Sequence, residues 1–341
     1  MGRFTVYNNI TTPEKIAAIN PENVMLMNDF LDYLDSVGRA QSTIKNYKAD
    51  LLIFFCWCED NLGNKSFVEL TKRELVRFQS HAVNEWHWSS CRVRTVKAAL
   101  SSLSNYIENI LDDDYKGYKP IIRKIESPPK QAVREKTVYS DEEIKALLDE
   151  LVRREEYEKA CFVALGAYSG RRKSELLRFR VDDFDEDKLV CDGALYRSAP
   201  IKTKGRGGGK YIPCYTLAKK FKPYFDMWMA EREKRGIKSE WLFPKRDDPN
   251  EQLATSSVDN WCNEFSKITG KTFYVHSLRH AMTTSLSKAG IPDSVIQTII
   301  CWESADMVRL YNDRTDDELI SEYFKNGDIA APQSKGLGDL K

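Results

Sequence analysis

Residues 276–314 read HSLRHAMTTSLSKAGIPDSVIQTIICWESADMVRLYNDR. Two of the chain's four histidines, His276 and His280, lie within the first five of these residues and flank Arg279. Positions i, i+3 and i+4 share one face of a helix, so the spacing predicts a helix that presents two imidazoles beside a guanidinium. An imidazole and a guanidinium on one face can contact the same anionic oxygen, and a phosphate is the natural ligand for such a pair.

A metal site is the alternative explanation for the two histidines. A zinc-binding helix of the HExxH type needs a glutamate where Ser277 stands, and the sequence offers no obvious third ligand. We therefore predict that no metal binds here.

Composition limits the class of protein. The chain has 341 residues, of which 42% are hydrophobic and 30% are charged, and this length favours two domains over one. No apolar stretch approaches the roughly 20 residues that span a bilayer, and the N-terminus lacks a signal-peptide core, so a cytoplasmic protein without membrane contact is expected. The eight cysteines are scattered without a CxxC pair, which favours reduced thiols.

Positive charge is concentrated in two segments, although the formal net charge is only +1. Residues 116–136 contain seven basic side chains against two acidic ones, and residues 201–211 contain four basic side chains and no acid. A solvated surface is one interpretation of each segment, and a DNA-binding face is the other.

Local signals predict a helical first domain. Apolar residues recur at helical spacing over residues 22–37, and three more helices follow before residue 114. Four helices within about 90 residues make a compact domain. The predicted boundary signals are a stop at Gly38, starts at Ser42 or Thr43, a capping box formed by Thr71 and Glu74, and a start at Ser90.

A second domain follows a linker. Residues 115–137 are basic, contain one glycine and three prolines, and lack apolar periodicity. Ser140 and Glu143 form a further capping box, after which residues 138–325 mix helices with short antiparallel strands around the glycine-rich stretch GRGGG at 205–209. The predicted fold is a four-helix domain at 22–114 and a mainly helical domain with a small antiparallel sheet, flanked by an extension at 1–21 and a tail at 326–341.

Two segments resemble the catalytic boxes of tyrosine recombinases, the phage integrase family. YSGRRKSELLRFRVDDF at 168–184 is similar to the first box, in which Arg172 and Glu175 fill the arginine and glutamate positions. Residues 276–314 resemble the second box, where His276 and Arg279 match the HxxR pair and Tyr311 follows Trp302 by nine residues.

The chain departs from the family pattern at one point. Many members have Gly-His-Ser where this sequence has Cys301-Trp302-Glu303. An indole N–H donates one hydrogen bond, as a histidine would, so Trp302 can take over the contact to a phosphate oxygen. The resemblance extends to the helical domain, where STIKNYKADLLIFF at 42–55 and VRTVKAALSSLSNYI at 93–107 are similar to core-binding segments, and it covers roughly residues 22–325.

The resemblance implies a role for each residue of the site. Arg172 and Arg279 would hold the non-bridging phosphate oxygens, with His276 and Trp302 completing the hydrogen bonds. Tyr311 would attack the phosphorus and leave a 3′-phosphotyrosine. Such an intermediate keeps the energy of the broken ester, so the resemblance implies neither metal nor nucleotide cofactor.

The general acid is left open between two lysines. The family takes the proton for the leaving 5′-oxygen from a lysine on a β-hairpin, and both Lys202 and Lys204 stand in IKTKGRGGG. Lys202 resembles the Lys-Thr step of the family and is preferred. Glu175 is expected to orient nearby basic groups, and His280 to pack or to support the site from behind.

The resemblance also implies a DNA-binding surface and an assembly. The basic side chains assigned to DNA are Lys45, Lys48, Arg92, Arg94, Lys97, Arg123, Lys124 and Lys130. The predicted partner is a double-stranded recombination site bound by a homo-oligomer, with a dimer on each site and a tetrameric synapse. A capping box at Thr315 and Glu318 would start a C-terminal helix with apolar Leu319, Ile320, Tyr323 and Phe324, which docks on a neighbouring protomer or on its own domain.

Two other functional classes remain open. A type IB topoisomerase or a telomere resolvase would use the same residues and yield relaxed circles or hairpin ends. A DNA-binding regulator that retains the fold would have no need of the nucleophile Tyr311.

Overall fold

A computed structural model describes residues 7–129, 137–203, 209–304, 306–315, 318, 321, 324–325 and 328–329. The described residues up to 129 form one compact unit, and those from 137 onward form a second. Each unit has its own hydrophobic core, and each is described here by itself.

The first unit is helical, as predicted. Its core is built around aromatic side chains of neighbouring helices, with Phe54 and Trp57 packed edge-on against Phe78 at ring distances of 4.9 and 5.2 Å. Its helices are α1 (Tyr7–Ile10), α2 (Pro13–Ala18), α3 (Pro21–Ser36), α4 (Gln41–Leu62), α5 (Lys72–Asn84) and α6 (Ser90–Ile110).

Local signals located most of these boundaries. The capping box of Thr71 and Glu74 is present, with both reciprocal hydrogen bonds formed. The predicted start of α4 at Ser42 or Thr43 was wrong by one or two residues, because the helix begins at Gln41 after Ala40, without a side-chain cap. Ser90 is the first residue of α6, and its N-cap is Ser89. Serines occur at adjacent positions there, and only the backbone conformation decides which one lies outside the helix.

The predicted N-terminal extension contributes to the first core. α2 begins with Thr12 as its N-cap and Pro13 in its first turn, and Ile10 and Ile19 are buried among the side chains of the following helices. Residues 7–20 therefore belong to the compact unit that the sequence placed at 22–114.

The second unit combines helices with short strands. Its helices are α7 (Asp141–Arg153), α8 (Tyr157–Ser169), α9 (Lys173–Leu176), α10 (Ala218–Lys234), α11 (Thr255–Thr269), α12 (Val275–Lys288), α13 (Asp293–Ile300) and α14 (Asp306–Tyr311). Its strands are β1 (Leu189–Val190), β2 (Leu195–Arg197), β3 (Ile201–Lys202), β4 (Tyr211–Ile212), β5 (Tyr215–Leu217), β6 (Phe324–Lys325) and β7 (Asp328–Ile329).

The strands pair as the sequence predicted. β1, β2 and β5 form a three-stranded antiparallel sheet, and β3 and β4 form the hairpin that flanks the glycine-rich stretch. Lys202 pairs with Tyr211 in that hairpin. The capping box of Ser140 and Glu143 is also present at the start of α7.

α8 is the central helix of the second unit and sets the position of α12. From Ala160 to Ser169 every residue of α8 except Tyr168 is buried, and a Cβ added at Gly166 would lie 2.6 Å from Cδ1 of Leu278. The glycine therefore lets α12 approach closely. α8 ends at Gly170, whose φ of 62° is the left-handed conformation that glycine adopts without strain.

The segment after Tyr311 differs from its prediction in part. The capping box is formed, because the backbone N–H of Thr315 donates to Glu318 and that of Glu318 donates to Thr315. Phe324 was predicted wrongly to lie on the helix: it is in β6, which pairs with β7. The sequence Asn326-Gly327 favours a β-hairpin, and the prediction of a helix did not take it into account. Leu319, Ile320 and Tyr323 lie outside the described residues.

Searches of the described residues give three further facts. None of their helices is long and apolar enough to cross a membrane. They contain no group of three or more His, Cys, Asp or Glu side chains placed to hold a metal ion. All eight cysteines are described, and all are free thiols.

Candidate active site

The first box places Arg172 at the start of α9. The carboxylate of Glu175 accepts hydrogen bonds from the Arg172 backbone N–H at 3.1 Å and from its guanidinium at 2.9 Å. Glu175 is fully buried, whereas 41% of the Arg172 side chain is exposed. The glutamate thus holds a cation that remains partly exposed to solvent.

The second box forms the first turns of α12. Arg279 is fully buried and donates to the carbonyl oxygens of Gly170 at 2.9 Å and Ile300 at 3.4 Å. Burial, followed by the positive charges of Arg172 and Arg171, lowers the pKa of Arg279 to about 10. The guanidinium stays charged at neutral pH and is oriented by two backbone carbonyls.

His276 and Tyr311 are joined by a hydrogen bond. Nε2 of His276 lies 2.5 Å from the Tyr311 hydroxyl, although 35 residues separate them in sequence. Partial burial, and then the neighbouring His280, Arg279 and Arg172, lower the pKa of His276 to about 4. The imidazole is therefore neutral at pH 7 and can accept a proton through Nε2.

The Tyr311 ring is enclosed by aromatic and cationic side chains. His280 stacks on it at 4.4 Å, and the Trp302 and His276 rings lie 4.9 and 5.0 Å away. Cζ of Arg279 lies 5.8 Å from its centroid. Four residues of the second box are thus gathered around the ring of Tyr311, which belongs to the same box.

Trp302 brings an unused donor to this cluster. Its indole is 7% exposed and packs under the Arg279 guanidinium at 4.8 Å. Among the described residues, neither Nε1 of Trp302 nor Nε of Arg279 has a hydrogen-bond acceptor. Two buried donors without acceptors at a cationic site are suited to receive oxygens of an anionic ligand.

The hairpin lysine lies beside the first box. Lys202 is in β3 with an exposed side chain, and its carbonyl oxygen accepts a hydrogen bond of 2.7 Å from Arg178. Lys204 falls outside the described residues. Lys210, the residue before β4, forms an ion pair with Glu303, the residue after Trp302. This ion pair links the hairpin to the segment that carries Trp302.

Two residues near the site escaped the sequence interpretation. Arg171 is 1% exposed and donates to the carbonyl oxygen of Ile299 at 2.6 Å. Oδ1 of Asp313 lies 3.4 Å from Nδ1 of His280. Arg171 could have been noticed in the sequence because it directly precedes Arg172. No local pattern distinguished Asp313 from the other acidic residues.

The basic residues assigned to DNA differ in their surroundings. Lys45 and Lys48 on α4 and Lys124 are exposed, whereas Arg92 forms an ion pair with the buried Asp50 at 2.6 Å. Arg123 binds Asn105 and Glu108 on α6. Lys130 lies outside the described residues.

Arg94 and Lys97 hold the start of the linker onto α6. Arg94 donates twice to the carbonyl oxygen of Pro128, at 3.0 and 2.8 Å, and Lys97 donates to Ser127 at 3.0 Å and to the carbonyl of Ile125. Burial lowers the pKa of Lys97. Their contribution to DNA binding stays a prediction, and within the chain they fix the linker's course.

Comparison with known families covers both units. A model of the phage integrase family matches residues 137–318, more than half of the chain, and a model of the phage integrase N-terminal SAM-like domain matches residues 26–117. The chain belongs to the phage integrase family. The first match contains every residue of the site described above.

Relatives extend over most of the chain. It is 29% identical over 262 residues to the SPbeta prophage-derived recombinase-like protein YomM of Bacillus subtilis, covering 75% of this chain and 76% of that one. It is 26% identical over 330 residues to the tyrosine recombinase XerC of Caldanaerobacter subterraneus, covering 88% and 86%. These similarities identify a tyrosine recombinase, an enzyme that breaks and rejoins DNA.

A solved structure shares the fold. The XerH site-specific recombinase, in a post-cleavage complex with a palindromic difH substrate, matches with a TM-score of 0.65 at 18% identity. The match covers 89% of this chain and 96% of XerH.

Proposed function

We propose that this chain is a site-specific recombinase that cleaves and rejoins DNA strands through a 3′-phosphotyrosine formed by Tyr311. The observation that carries the proposal is the 2.5 Å hydrogen bond between the Tyr311 hydroxyl and Nε2 of His276. A nucleophile in contact with a neutral base, beside the buried cation Arg279, is an arrangement suited to attack on a phosphodiester.

Charge develops on the non-bridging oxygens as Tyr311 attacks the phosphorus. Arg279 is already oriented by two carbonyls and remains a cation, and Arg172 is held by Glu175 with donors facing solvent. Donors that are fixed before the reaction stabilise the transition state without reorganisation. The indole N–H of Trp302 adds a donor to the same oxygens.

Two protons move in the cleavage step. Bond formation between the Tyr311 oxygen and phosphorus releases the phenolic proton, which the neutral His276 can accept at Nε2. Cleavage of the bond to the 5′-oxygen leaves an alkoxide, and we assign its proton to Lys202 in the hairpin. Rejoining reverses both transfers, so the scheme calls for neither metal nor nucleotide cofactor.

The proposed substrate is a double-stranded site bound by several copies. XerH is described on a palindromic substrate, and a two-fold symmetric site suits a pair of identical subunits. We propose a dimer on each site and a tetramer when two sites exchange strands. The exposed Lys45, Lys48 and Lys124 are the basic side chains best placed to meet phosphates.

The test traps the covalent intermediate. A library of nicked duplexes with random sequence beside the nick loses its short leaving strand after cleavage, so a covalent protein–DNA product accumulates and its DNA can be sequenced. Wild-type protein should enrich one consensus. Tyr311→Phe should bind that consensus with unchanged affinity and give no covalent product, since only the hydroxyl is removed. A covalent product from Tyr311→Phe, or none from the wild type, contradicts the proposal.

The enriched DNA also separates the alternatives. A type IB topoisomerase would trap sequences without a consensus and relax supercoiled circles, and a telomere resolvase would yield hairpin ends. A regulator that retains the fold would bind DNA and leave it uncut.

A further inference from the structure

Arg171 is a buried cation that contacts the turn before Trp302. Its NH2 group donates to the carbonyl oxygen of Ile299 at 2.6 Å and to Sγ of Cys301 at 3.2 Å. Those partners stand 128 and 130 residues away in sequence, at the end of α13. A guanidinium is expensive to bury, and the hydrogen bonds of this one to the turn offset part of that cost.

The turn itself has an unusual conformation. Cys301 has a φ of 55°, in the left-handed region that residues other than glycine rarely occupy. Its thiol lies 3.3 Å from the carbonyl oxygen of Thr298 and 3.6 Å from that of Pro213, while Sγ accepts from Arg171. These three contacts hold Cys301 in its left-handed conformation, at a position where the family often has glycine.

The conformation of this turn decides where the Trp302 indole points. The Trp302 backbone N–H donates to the Gln297 carbonyl at 3.0 Å, and its side chain then packs beneath Arg279. Arg279 also donates to the Ile300 carbonyl, so the two buried arginines bind successive carbonyls of one turn. Cζ of Arg279 lies 5.8 Å from the centroid of the Tyr311 ring, whereas the side-chain hydrogen bonds of Arg171 to described residues go to the turn and its thiol.

We propose that Arg171 is a positioning residue for cleavage: it holds the Ile299–Cys301 turn so that the Trp302 N–H meets a phosphate oxygen. The inference rests on the proposed function. It makes Arg171 act through Trp302 and assigns it no contact with DNA.

Non-additivity of two substitutions tests this dependence. Single-turnover cleavage of the selected nicked duplex is measured at saturating DNA for wild type, Arg171→Met, Trp302→Phe and the double variant. Arg171→Met should slow cleavage on the order of tenfold, because a displaced donor loses alignment with the transition state. Trp302→Phe should slow it at least as much. The double variant should be no slower than Trp302→Phe alone, since the group that Arg171 positions is then already gone.

A second buried arginine supplies the matched control. Arg232 is 2% exposed and donates to the carbonyls of Trp241, Leu242 and Ser239, outside the site. Arg232→Met should lower the melting temperature and leave the cleavage rate of the folded protein unchanged. DNA affinity should stay at the wild-type value in Arg171→Met, so that only the rate constant falls.

Three results overturn the inference: multiplicative penalties in the double variant, an equal loss of rate in Arg232→Met, or no loss in Arg171→Met. If Arg171→Met does not fold, Arg171→Lys takes its place in the same cycle, because it keeps one buried cation and a donor for the Ile299 carbonyl. Absence of covalent product from the wild type refutes the proposed function together with this inference, whereas multiplicative penalties refute only the inference.

Discussion

The two arginines of the site differ in how far the fold constrains them. Arg172 keeps 41% of its side chain exposed and is held through Glu175, while Arg279 is fully buried and held by backbone carbonyls. Loss of Arg172 therefore removes a charge from the surface of the site, and loss of Arg279 also leaves buried carbonyls without donors.

Arg172→Ala should slow covalent cleavage at least 100-fold, equivalent to about 2.7 kcal/mol of transition-state stabilisation. DNA affinity should change little, whereas the melting temperature should fall, because the fully buried Glu175 carboxylate loses its guanidinium partner. Arg180→Ala is the control, since Arg180 is an exposed arginine in the same unit that pairs with Glu240. A fall in affinity large enough to explain the whole rate defect would contradict the assignment.

Arg279→Ala should slow cleavage by a similar factor and should also lower the melting temperature below that of the wild type. The added effect follows from the unpaired carbonyls of Gly170 and Ile300. Thermal unfolding of the variant and the wild type side by side measures it. A melting temperature of Arg279→Ala equal to that of the wild type would mean that the buried guanidinium contributes nothing to the fold.

The depressed pKa of His276 should make the stability of the folded protein depend on pH. Its pKa is about 4 in the folded protein against an ordinary value of 6.5, so the unfolded chain binds a proton that the folded one does not. Stability should therefore fall as pH drops from about 6.5 to about 4, and His276→Asn should remove that part of the dependence. Denaturant unfolding across this range measures it, with the exposed His87→Asn as control. Identical pH profiles for His276→Asn and wild type would refute the depressed pKa.

At the scale of elements, α12 and the β3–β4 hairpin contribute in different ways. α12 is fixed against α8 through Gly166, and it presents three site residues on one face. The hairpin is anchored by Arg178 at Lys202 and by the ion pair of Lys210 with Glu303. Both anchors are exposed, so the helix is the rigid part of the site and the hairpin is the adjustable part.

A prediction about the hairpin distinguishes Lys202 from Lys204 as the general acid. If Lys202 protonates the leaving 5′-oxygen, a duplex with a 5′-bridging phosphorothiolate should restore cleavage to Lys202→Ala, because sulfur leaves without a proton. The same substrate should give little gain with Lys204→Ala. Rates on oxygen and sulfur substrates are compared for both variants, and rescue of Lys204→Ala alone would reverse the assignment.

At the scale of the whole molecule, the open question is assembly. Residues after Arg314 carry an excess of acidic side chains and begin with the capping box of Thr315 and Glu318, which is formed. An acidic segment is poorly suited to DNA and better suited to a protein surface. We therefore retain the prediction that the tail docks on a neighbouring protomer.

Deleting residues 315–341 should leave binding to a half-site nearly intact and reduce cooperative assembly on the full site. Half-site and full-site complexes are compared by native gel and light scattering over a protein titration. The cleavage of a half-site duplex serves as a control for the integrity of the catalytic unit. Tetrameric complexes formed as readily as by the whole chain would place the tail on its own domain.

The sequence by itself predicted which residues would form the site and most of the elements that carry them. The HxxR spacing, the capping boxes and the hairpin strands could be recognised because each depends on residues a few positions apart in sequence. The residues that the resemblance assigned to catalysis and that the structure describes are Arg172, His276, Arg279, Trp302 and Tyr311, which lie together, and Lys202, on the adjoining hairpin.

Only the tertiary structure decided how those residues are held. In sequence, the Gly170 carbonyl that accepts from Arg279 is 109 residues from that arginine, and the Tyr311 hydroxyl is 35 residues from His276. The Ile299–Cys301 turn is about 130 residues from Arg171. No periodicity reports such partners, because they depend on how closely α8, α12 and α13 pack. Burial and neighbouring charge, which set the pKa values of His276 and Arg279, exist only once that packing has removed water from the site.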